Sequence, residues 1–530
     1  MTNGSPKLPM RIREQADRQM LRILNSRWLW AILIISVFAA NAVWCYRNRL
    51  NGDVAWYLYA VTKLSNGAVL YRDIHDINLP IVYLMYFPIA WFNRLSGLPA
   101  PIGLYLAIWG LIGGILLLIR RLTQLSLFGR RFMVLAVAFA ALSVNRFEIG
   151  QRDPLCAFLF ALLVISAYLS IVEPERRGSL SWVLIVGASA GLALKPYFLV
   201  PWALVVGGIA WHVGLRRAVL LKETWMPLLV SVISWILTLT MFPDYLTMVA
   251  VASRYYSGWN ASTWEHFPLV LPVSVSLVAL LRKGTPTLRP LIHLSSLTTL
   301  GFATVCLLQK KAFPYHLAPS MFWGIVTAAL LIVDYVESNR SRPDTWKRAL
   351  SLVSGSMFLA AYSIWGSATP AVLGTTQVDT FITTHGNGKR ILILSTQPWC
   401  GFPLILESGA TNARADGSLW TLGGIYKDQV ARAAEMEERP VAQYHTRVEM
   451  NDDERQLFDQ VIHILMVDHP DFIILDIGSW KGGLNRLRFD FIDYYSTDPR
   501  FKEQLGFYEP GPADSFRRVL VRREFRAGIH

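Results

Sequence analysis

The sequence predicts a polytopic α-helical membrane protein with a small soluble α/β domain at its C-terminal end. Hydrophobic residues make up 53% of the 530 residues and charged residues only 17%, whereas ordinary soluble domains carry about 25% charged residues. Apolar runs long enough to cross a bilayer core recur up to residue 366. After that point the apolar runs are short and bounded by turn residues, as in an α/β domain. The composition excludes disordered, coiled-coil and fibrous classes.

Eleven membrane spans are predicted from the apolar runs. A basic segment, residues 1–27, precedes the first run, which lacks a small-residue cleavage site and is therefore predicted to be a retained span, not a signal peptide. The predicted spans cover residues 28–46, 101–119, 131–149, 154–172, 180–194, 197–213, 225–242, 264–281, 290–308, 316–334 and 350–366.

Basic residues orient these spans, because Lys and Arg concentrate in cytoplasmic loops. With a cytoplasmic N-terminus, every second loop is rich in cations and faces the cytoplasm. These loops include the groups Arg120/Arg121, Arg176/Arg177, Arg216/Arg217, Arg282/Lys283 and Arg340/Arg342. The net charge of +14 thus indicates membrane topology, and we expect no nucleic-acid partner.

The stretch 79–95 is predicted to be an interfacial helix, because counting it as a span would place all later basic loops outside. The predicted domains are therefore a cytoplasmic segment 1–27, a transmembrane module 28–366 with a first outer loop at 47–100, and an extracytoplasmic α/β domain at 367–530. In this last domain we expect strands at 390–395 and 471–476, separated by a polar, helix-compatible stretch at 426–465.

The outer loops combine acids, cations and aromatic residues, whereas the inner loops show short basic pairs. Ionisable groups close to a membrane interior are costly and indicate function. Carboxylates can act as a general base toward a hydroxyl, and Lys or Arg can neutralise a leaving phosphate. The mixture suggests glycosyl transfer from a lipid phosphate. The loops concerned are residues 51–57, 71–80, 146–154, 194–198, 254–256 and 309–316.

The first outer loop carries a more specific pattern. An Asp shortly after the first span, the turn Gly67-x-x-x-Tyr71-x-Asp73 and the helix start Pro80-x-x-Tyr83 resemble the first outer loop of the GT-C glycosyltransferase superfamily. The protein O-mannosyltransferases and the lipid A aminoarabinose transferases are similar examples. The span count and the outer C-terminal domain extend this resemblance to a GT-C type architecture of about 11 transmembrane helices with an amphipathic first outer loop.

The resemblance implies an inverting transferase that uses a polyprenyl-phosphate sugar, with Asp53 as catalytic residue. Many relatives have a second acid directly after this Asp, but here Val54 follows, so Asp73 and Asp153 join the catalytic candidates. The donor phosphate is expected to contact Arg152, Lys195, Lys310, Lys311 and His316. The remaining substrate contacts are expected from Tyr57, Tyr71, Asp76, Tyr197, Arg254 and Tyr256.

Simpler roles remain for several of these residues. Asp53 could cap the helix that follows it, and Asp73 and Asp76 could stabilise a turn. Arg152 and Asp153 could pair with each other, and Lys195 could extend toward the membrane interface. No cofactor is certain, and a divalent cation remains one option. The four cysteines share no short spacing, which argues against a metal knuckle or a disulfide framework.

The expected partners are the lipid-linked sugar donor, a glycan, lipid or protein acceptor of the cell envelope, and the bilayer. The expected location is the cell inner (plasma) membrane. Two other functions stay open at this point. A ligase or polymerase of lipid-linked oligosaccharides would also need outer cations, and a transporter would need polar residues near the bilayer midplane.

Overall fold

The computed structural model describes residues 26–122, 125–144, 146–176, 179–339 and 376–526. Nearly all of the predicted N-terminal segment lies outside these ranges, and so does the predicted eleventh span at 350–366. The predicted domain boundary near residue 366 also lies outside the described residues.

Nine helical segments within the described ranges are long and apolar enough to cross a membrane. They match nine of the predicted spans, and the predicted span 180–194 corresponds to a shorter apolar helix. The nine segments are Arg27–Arg47, Ala100–Arg120, Leu127–Val144, Arg152–Val172, Pro196–Val213, Lys222–Met241, Trp264–Leu281, Arg289–Gln309 and Pro314–Ser338.

In chain order the first fourteen α-helices are numbered as follows. They are α1 (Arg27–Arg47), α2 (Gly52–Ser65), α3 (Pro80–Ser96), α4 (Ala100–Arg120), α5 (Leu127–Phe139, continued by a π-helical turn, Ala140–Val144), α6 (Arg152–Val172), α7 (Ser179–Ala193), α8 (Leu199–Val213), α9 (Leu215–Leu220), α10 (Lys222–Met241), α11 (Asp244–Tyr255), α12 (Val270–Leu281), α13 (Arg289–Gln309) and α14 (Pro314–Ser338). A 3₁₀ turn, Pro196–Phe198, precedes α8.

Small and hydroxylated residues let the central helices approach closely. The hydroxyl of Thr327 on α14 donates to Ser295 of α13 at 3.1 Å. A Cβ on Gly301 of α13 would lie 2.4 Å from the Cα of Pro201 on α8. Membrane helices associate through close packing of small residues and through interhelical hydrogen bonds. The reason is that the hydrophobic effect does not drive helix association within lipid.

The stretch predicted to be an interfacial helix forms α3, which has 17 residues. Proline at its first position suits a helix start, and Gly97 ends it in the left-handed conformation with φ of 68°. Helix α3 contains Arg94 and a second proline, Pro88, and it is not among the nine span-length segments.

The C-terminal part forms a five-stranded mixed sheet in the order β2-β1-β3-β5-β4. Strands β1, β2 and β3 are parallel, and β5 pairs antiparallel with both β3 and β4. Strands β1 and β3 coincide with the two predicted strands, so the predicted fold class is confirmed here. The strands are β1 (Arg390–Leu394), β2 (Thr411–Asn412), β3 (Phe472–Asp476), β4 (Tyr508–Ala513) and β5 (Arg517–Arg522).

Short helices surround the sheet. The polar stretch predicted as helix-compatible contains two helices, α18 and α19. The helices are α15 (Gln377–His385), α16 (Leu404–Ser408), α17 (Leu422–Ile425), α18 (Lys427–Ala433), α19 (Asp452–His463, continued by a π-helical turn, Ile464–Asp468), α20 (Phe491–Tyr495), α21 (Pro499–Leu505) and α22 (Arg523–Arg526).

Contacts between residues divide the chain into two units. Of the described residues, the first comprises those within 26–46, 108–230 and 263–339. The second comprises 47–107, 231–262 and 376–526. The second unit therefore combines the predicted first outer loop, helix α11 and the C-terminal sheet.

Candidate functional site

Three predicted outer loops of the first unit bring Asp153, Lys195 and His316 together. The Lys195 Nζ lies 2.6 Å from Oδ2 of Asp153 and 3.5 Å from Nε2 of His316. All three side chains are buried. The residues are far apart in the sequence, so this cluster exists only because helices α6, α8 and α14 pack in the same unit.

Each residue of this cluster lies where a helix begins. Asp153 is in the first turn of α6 and His316 in the first turn of α14. Lys195 precedes Pro196 and is extended, with φ of −149° and ψ of 141°, because a residue before proline avoids the helical conformation. The positive ends of α6 and α14 therefore face the cluster from their first turns.

The hydrogen bonds assign a tautomer to His316. Its Nδ1 lies 3.4 Å from the carbonyl oxygen of Lys311, and a carbonyl can only accept, so Nδ1 carries the proton. In the neutral ring Nε2 is then an acceptor and faces the Lys195 ammonium. Since that ammonium has three donors, Asp153 and His316 use two of them, and the third has no hydrogen-bond partner among the residues that the structure describes.

Burial lowers the pKa of two lysines. It lowers the pKa of Lys195 to about 8, although the Asp153 carboxylate opposes the shift. Burial also lowers the pKa of Lys311 to about 8. Lys310 differs from both, because it is exposed and ends α13 in the left-handed conformation with φ of 52°. Of the two predicted lysines in this loop, Lys311 is the buried cation.

Two aromatic rings near Lys195 were not among the predicted contacts. Its Nζ lies 5.5 Å from the ring centroid of Tyr315 and 5.9 Å from that of Phe198, within the roughly 6 Å range of cation–π attraction. Phe198 lies three residues after Lys195 and Tyr315 directly precedes His316, which was the available sequence signal. Of the other predicted residues, Arg152 is half-buried at the start of α6, and Tyr197 is exposed.

Asp53 lies in the second unit, in the first turn of α2, and its side chain is half-buried. The helix cap is Asn51, whose side-chain oxygen accepts the Asp53 backbone N–H at 2.9 Å. The simpler role considered for Asp53, a helix cap, is therefore filled by another residue. Gly52 lets the helix start approach another segment closely, since a Cβ there would lie 2.6 Å from the backbone nitrogen of Trp399.

Asp76 ties the first outer loop to α2 and α3. Its carboxylate accepts hydrogen bonds from Trp56 Nε1 at 2.8 Å and from the Tyr83 hydroxyl at 2.5 Å. The side-chain amide of Asn78 and the backbone N–H of Ile77 also donate to it. Because Trp56 follows Asp53 by three residues on α2, Asp76 fixes the helix that carries the predicted catalytic Asp53.

The other predicted residues of this loop fall into two groups. Asp73 is exposed, and its hydrogen bonds with Arg72 and with the Val69 backbone hold the pKa of its carboxyl below the usual range. Tyr57 and Tyr71 are buried. The Tyr57 ring packs against Tyr83 and Tyr86, and the Tyr71 ring packs against Phe242 and Tyr245. The Tyr71 hydroxyl donates to the carbonyl of Asn78.

Arg254 and Tyr256 contact the C-terminal part of the second unit. Arg254 makes a two-pronged ion pair with Asp453, at 2.8 and 2.9 Å. The Tyr256 ring lies edge-on to Trp420, with centroids 6.0 Å apart. Neither Asp453 nor Trp420 was predicted as a partner of Arg254 or Tyr256. No local sequence pattern identifies a contact between residues so far apart in the chain.

Among the described residues no group of three or more His, Cys, Asp or Glu side chains is arranged to hold a metal ion. The polar clusters are instead built from cations, carboxylates and hydroxyls. They can bind an anion, and they can accept a proton.

Comparisons with known proteins give one informative result. No family model matches the chain, and no curated protein matches it in sequence. Among solved structures, the crystal structure of ArnT from Cupriavidus metallidurans in the apo state is similar to this chain with a TM-score of 0.51 and 13% sequence identity. The match covers 93% of this chain and 97% of the ArnT chain. The protein therefore shares the fold of ArnT, a polytopic helical architecture with a small C-terminal sheet.

Proposed function

We propose that this protein is an inverting membrane glycosyltransferase. It moves a sugar from a polyprenyl-phosphate donor to a glycan, lipid or protein acceptor at the outer face of the cell inner membrane. A fold by itself does not define an activity, so the proposal depends on the site. The observation that carries it is the buried Lys195, which is held by Asp153 and His316 and whose third N–H has no hydrogen-bond partner in the described part of the chain.

The leaving group explains why buried cations matter. When the sugar leaves, its bond to the phosphate breaks and the electron pair goes to a phosphate oxygen, so negative charge grows there. Preorganised donors in a dry site stabilise such charge most strongly. Lys195 and Lys311 supply the opposing positive charge, and Arg152 and Lys310 are the further phosphate contacts. His316 contributes by holding the Lys195 ammonium through Nε2. The first turns of α6 and α14 favour an anion in the same way.

The acceptor requires a base. The Asp53 carboxylate takes the proton of the acceptor hydroxyl, and the hydroxyl oxygen attacks the anomeric carbon opposite the departing phosphate. One new C–O bond forms as the C–O bond to phosphate breaks, which inverts the configuration at that carbon. Asp73 and Asp153 are the secondary carboxylates of this scheme, and Asp153 acts through its pairing with Lys195.

The remaining predicted substrate contacts take two kinds of role in this proposal. Exposed Tyr197 can reach a ligand directly. Tyr57, Tyr71 and Asp76 shape the first outer loop through buried contacts. Arg254 and Tyr256 fix α11 to the C-terminal sheet domain through Asp453 and Trp420.

The test is sugar transfer by the purified full-length protein in liposomes, supplied with radiolabelled polyprenyl-phosphate sugars and an envelope extract. The expected product carries one additional sugar. Transfer of a preassembled oligosaccharide would favour a ligase instead. Accumulation of substrate inside vesicles without a covalent product would favour a transporter, and either outcome would contradict the proposal.

A further inference from the structure

The second unit contains a cavity of about 480 Å³ that the proposed chemistry does not use. Small-molecule sites occupy roughly 300–1,000 Å³, so the cavity is large enough for part of a ligand. Arg414 and Ala415 form one wall. Gln456, Asp459, Gln460 and His463 line the other.

The first wall lies at a position where α/β domains bind ligands. Arg414 and Ala415 follow β2, which is parallel to β1 and, through β1, to β3. Ligands of open α/β sheets bind beyond the carboxyl ends of parallel strands. The cavity therefore lies at the functional edge of this sheet.

The second wall is one face of α19. Gln456, Asp459, Gln460 and His463 recur at helical spacing and line the cavity, as residues three and four apart share a helix face. The opposite face, with Leu457, Phe458 and Val461 among others, is buried in the hydrophobic core. The packing of the apolar face thus fixes the polar face toward the cavity.

Charges around the cavity compensate one another. The Arg414 guanidinium makes a two-pronged pair with Asp416, at 2.6 and 2.5 Å. Asp459 is paired with Arg447 at 2.9 Å and lies 3.8 Å from Arg500. The remaining polar lining groups are two amides and an imidazole, which donate and accept hydrogen bonds without a fixed charge. Ala415 and Ile464 add apolar surface.

One donor at this site lacks a partner. The Arg414 Nη1 is buried and makes no hydrogen bond with any residue within the described ranges. A buried guanidinium nitrogen without a partner is costly, so the wall that contains Arg414 is polar. The set of neutral donors and acceptors is suited to hydroxyl groups rather than to phosphate.

The cavity is connected to the segment that carries the proposed base. The carbonyl of Ala415 accepts the backbone N–H of His75 at 2.8 Å. His75 belongs to the loop of Asp76, which in turn binds Trp56 on α2, one turn from Asp53. All these residues belong to the same unit.

We infer that this cavity is an acceptor subsite that binds an uncharged carbohydrate through its hydroxyl groups. The inference rests on the proposed glycosyl transfer and narrows the acceptor to one that presents neutral sugar. Gln456 and Gln460 hydrogen-bond the sugar hydroxyls, and Arg414 positions the sugar from the opposite wall.

The test uses saturation-transfer NMR on the full-length protein in nanodiscs. The probes are neutral trisaccharides of glucose, galactose, mannose and N-acetylglucosamine, with glucuronic acid and inorganic phosphate for comparison. We expect the wild type to bind at least one neutral trisaccharide, and the variant Gln456→Ala/Gln460→Ala to bind it at least tenfold more weakly. Alanine keeps the helix, and Gln504→Ala on α21, outside the cavity lining, is the matched control with unchanged binding.

The Asp53→Asn variant separates this inference from the proposed function, because it should lose sugar transfer and keep trisaccharide binding. Three results would overturn the subsite: no neutral trisaccharide binds, the double glutamine variant binds as tightly as the wild type, or the cavity residues govern binding of phosphate instead. Undiminished transfer by Asp53→Asn would contradict the proposed function and leave the binding result intact.

Discussion

Lys195 and Asp153, which are 42 residues apart in the chain, form a buried ion pair with 2.6 Å between Nζ and Oδ2. Two charges taken out of water are tolerated only as a pair, so each residue depends on the other. His316 completes the cluster by offering Nε2 as an acceptor. The first prediction tests this dependence.

We expect Lys195→Met to lower the free energy of unfolding by about 3–5 kcal/mol, because it leaves a buried carboxylate without its partner. The double variant Lys195→Met/Asp153→Leu should recover most of this stability, since both charges are gone, but should not recover donor binding. Thermal unfolding in detergent and binding of a polyprenyl-phosphate sugar measure the two effects. A single variant as stable as the wild type would show that the pair is not buried as described.

Donor binding should depend on pH through the two buried lysines. The pKa values of Lys195 and Lys311 are both lowered to about 8, so both ammonium groups persist below pH 8 and are lost as the pH rises through it. We expect the KM for the donor to rise roughly tenfold between pH 7 and pH 9 if one such lysine binds the phosphate. Kinetics across this range measure the effect.

The matched variants are Lys195→Arg and Lys311→Arg, because a guanidinium does not titrate in this range. Each variant should make the pH profile shallower, because each removes one of the two groups that lose charge near pH 8. A profile identical in the wild type and both variants would remove the two lysines from the donor site.

Asp76 is predicted to position α2. Hydrogen bonds to a charged group contribute about 1.5–3 kcal/mol, and Asp76→Asn weakens those from Trp56 and Tyr83. We therefore expect lower thermal stability, a changed Trp56 fluorescence and a reduced kcat with little change in the donor KM. Asp73→Asn in the same loop is the comparison for stability, because the Asp73 carboxylate is exposed, and it should unfold like the wild type. Equal unfolding temperatures for both variants would contradict the positioning role.

Gly52 should not tolerate a side chain. Overpacking a tight contact costs about 1–3 kcal/mol, and a Cβ at Gly52 would collide with the Trp399 backbone. We expect Gly52→Ala to reduce both stability and transfer, whereas Gly67→Ala serves as a separate test of backbone strain, because Gly67 has space around it but a φ of 95°. Wild-type behaviour of Gly52→Ala would mean that the two segments do not touch.

Much of the fold could be predicted from the sequence, because hydrophobic length and cation placement act locally. The nine span-length segments in the described part of the chain, and strands β1 and β3, follow from such patterns. The contacts of Asp153, Lys195 and His316 bring together three of the predicted loops, 146–154, 194–198 and 309–316.

The hydrogen-bond and ion-pair partners of the predicted site residues could not be predicted from the sequence. Lys195 was weighed as an interfacial lysine and Asp153 as a partner of Arg152, yet the structure pairs Asp153 with Lys195. The bond from Trp56 to Asp76, the pair of Arg254 with Asp453 and the capping of α2 by Asn51 depend on packing between distant segments. The periodicity of a sequence does not specify which of several polar side chains form a hydrogen bond or an ion pair.

Asp53 is the proposed base of the glycosyl transfer. The decisive measurement is the rate of sugar transfer from a radiolabelled polyprenyl-phosphate donor by Asp53→Asn, purified at wild-type yield. Asp244→Asn, an exposed acid in the first turn of α11, is the matched control. Loss of a general base lowers kcat by roughly 10²–10⁴-fold, and we expect a decrease of that order for Asp53→Asn alone. A kcat for Asp53→Asn equal to that of Asp244→Asn and the wild type would contradict the account.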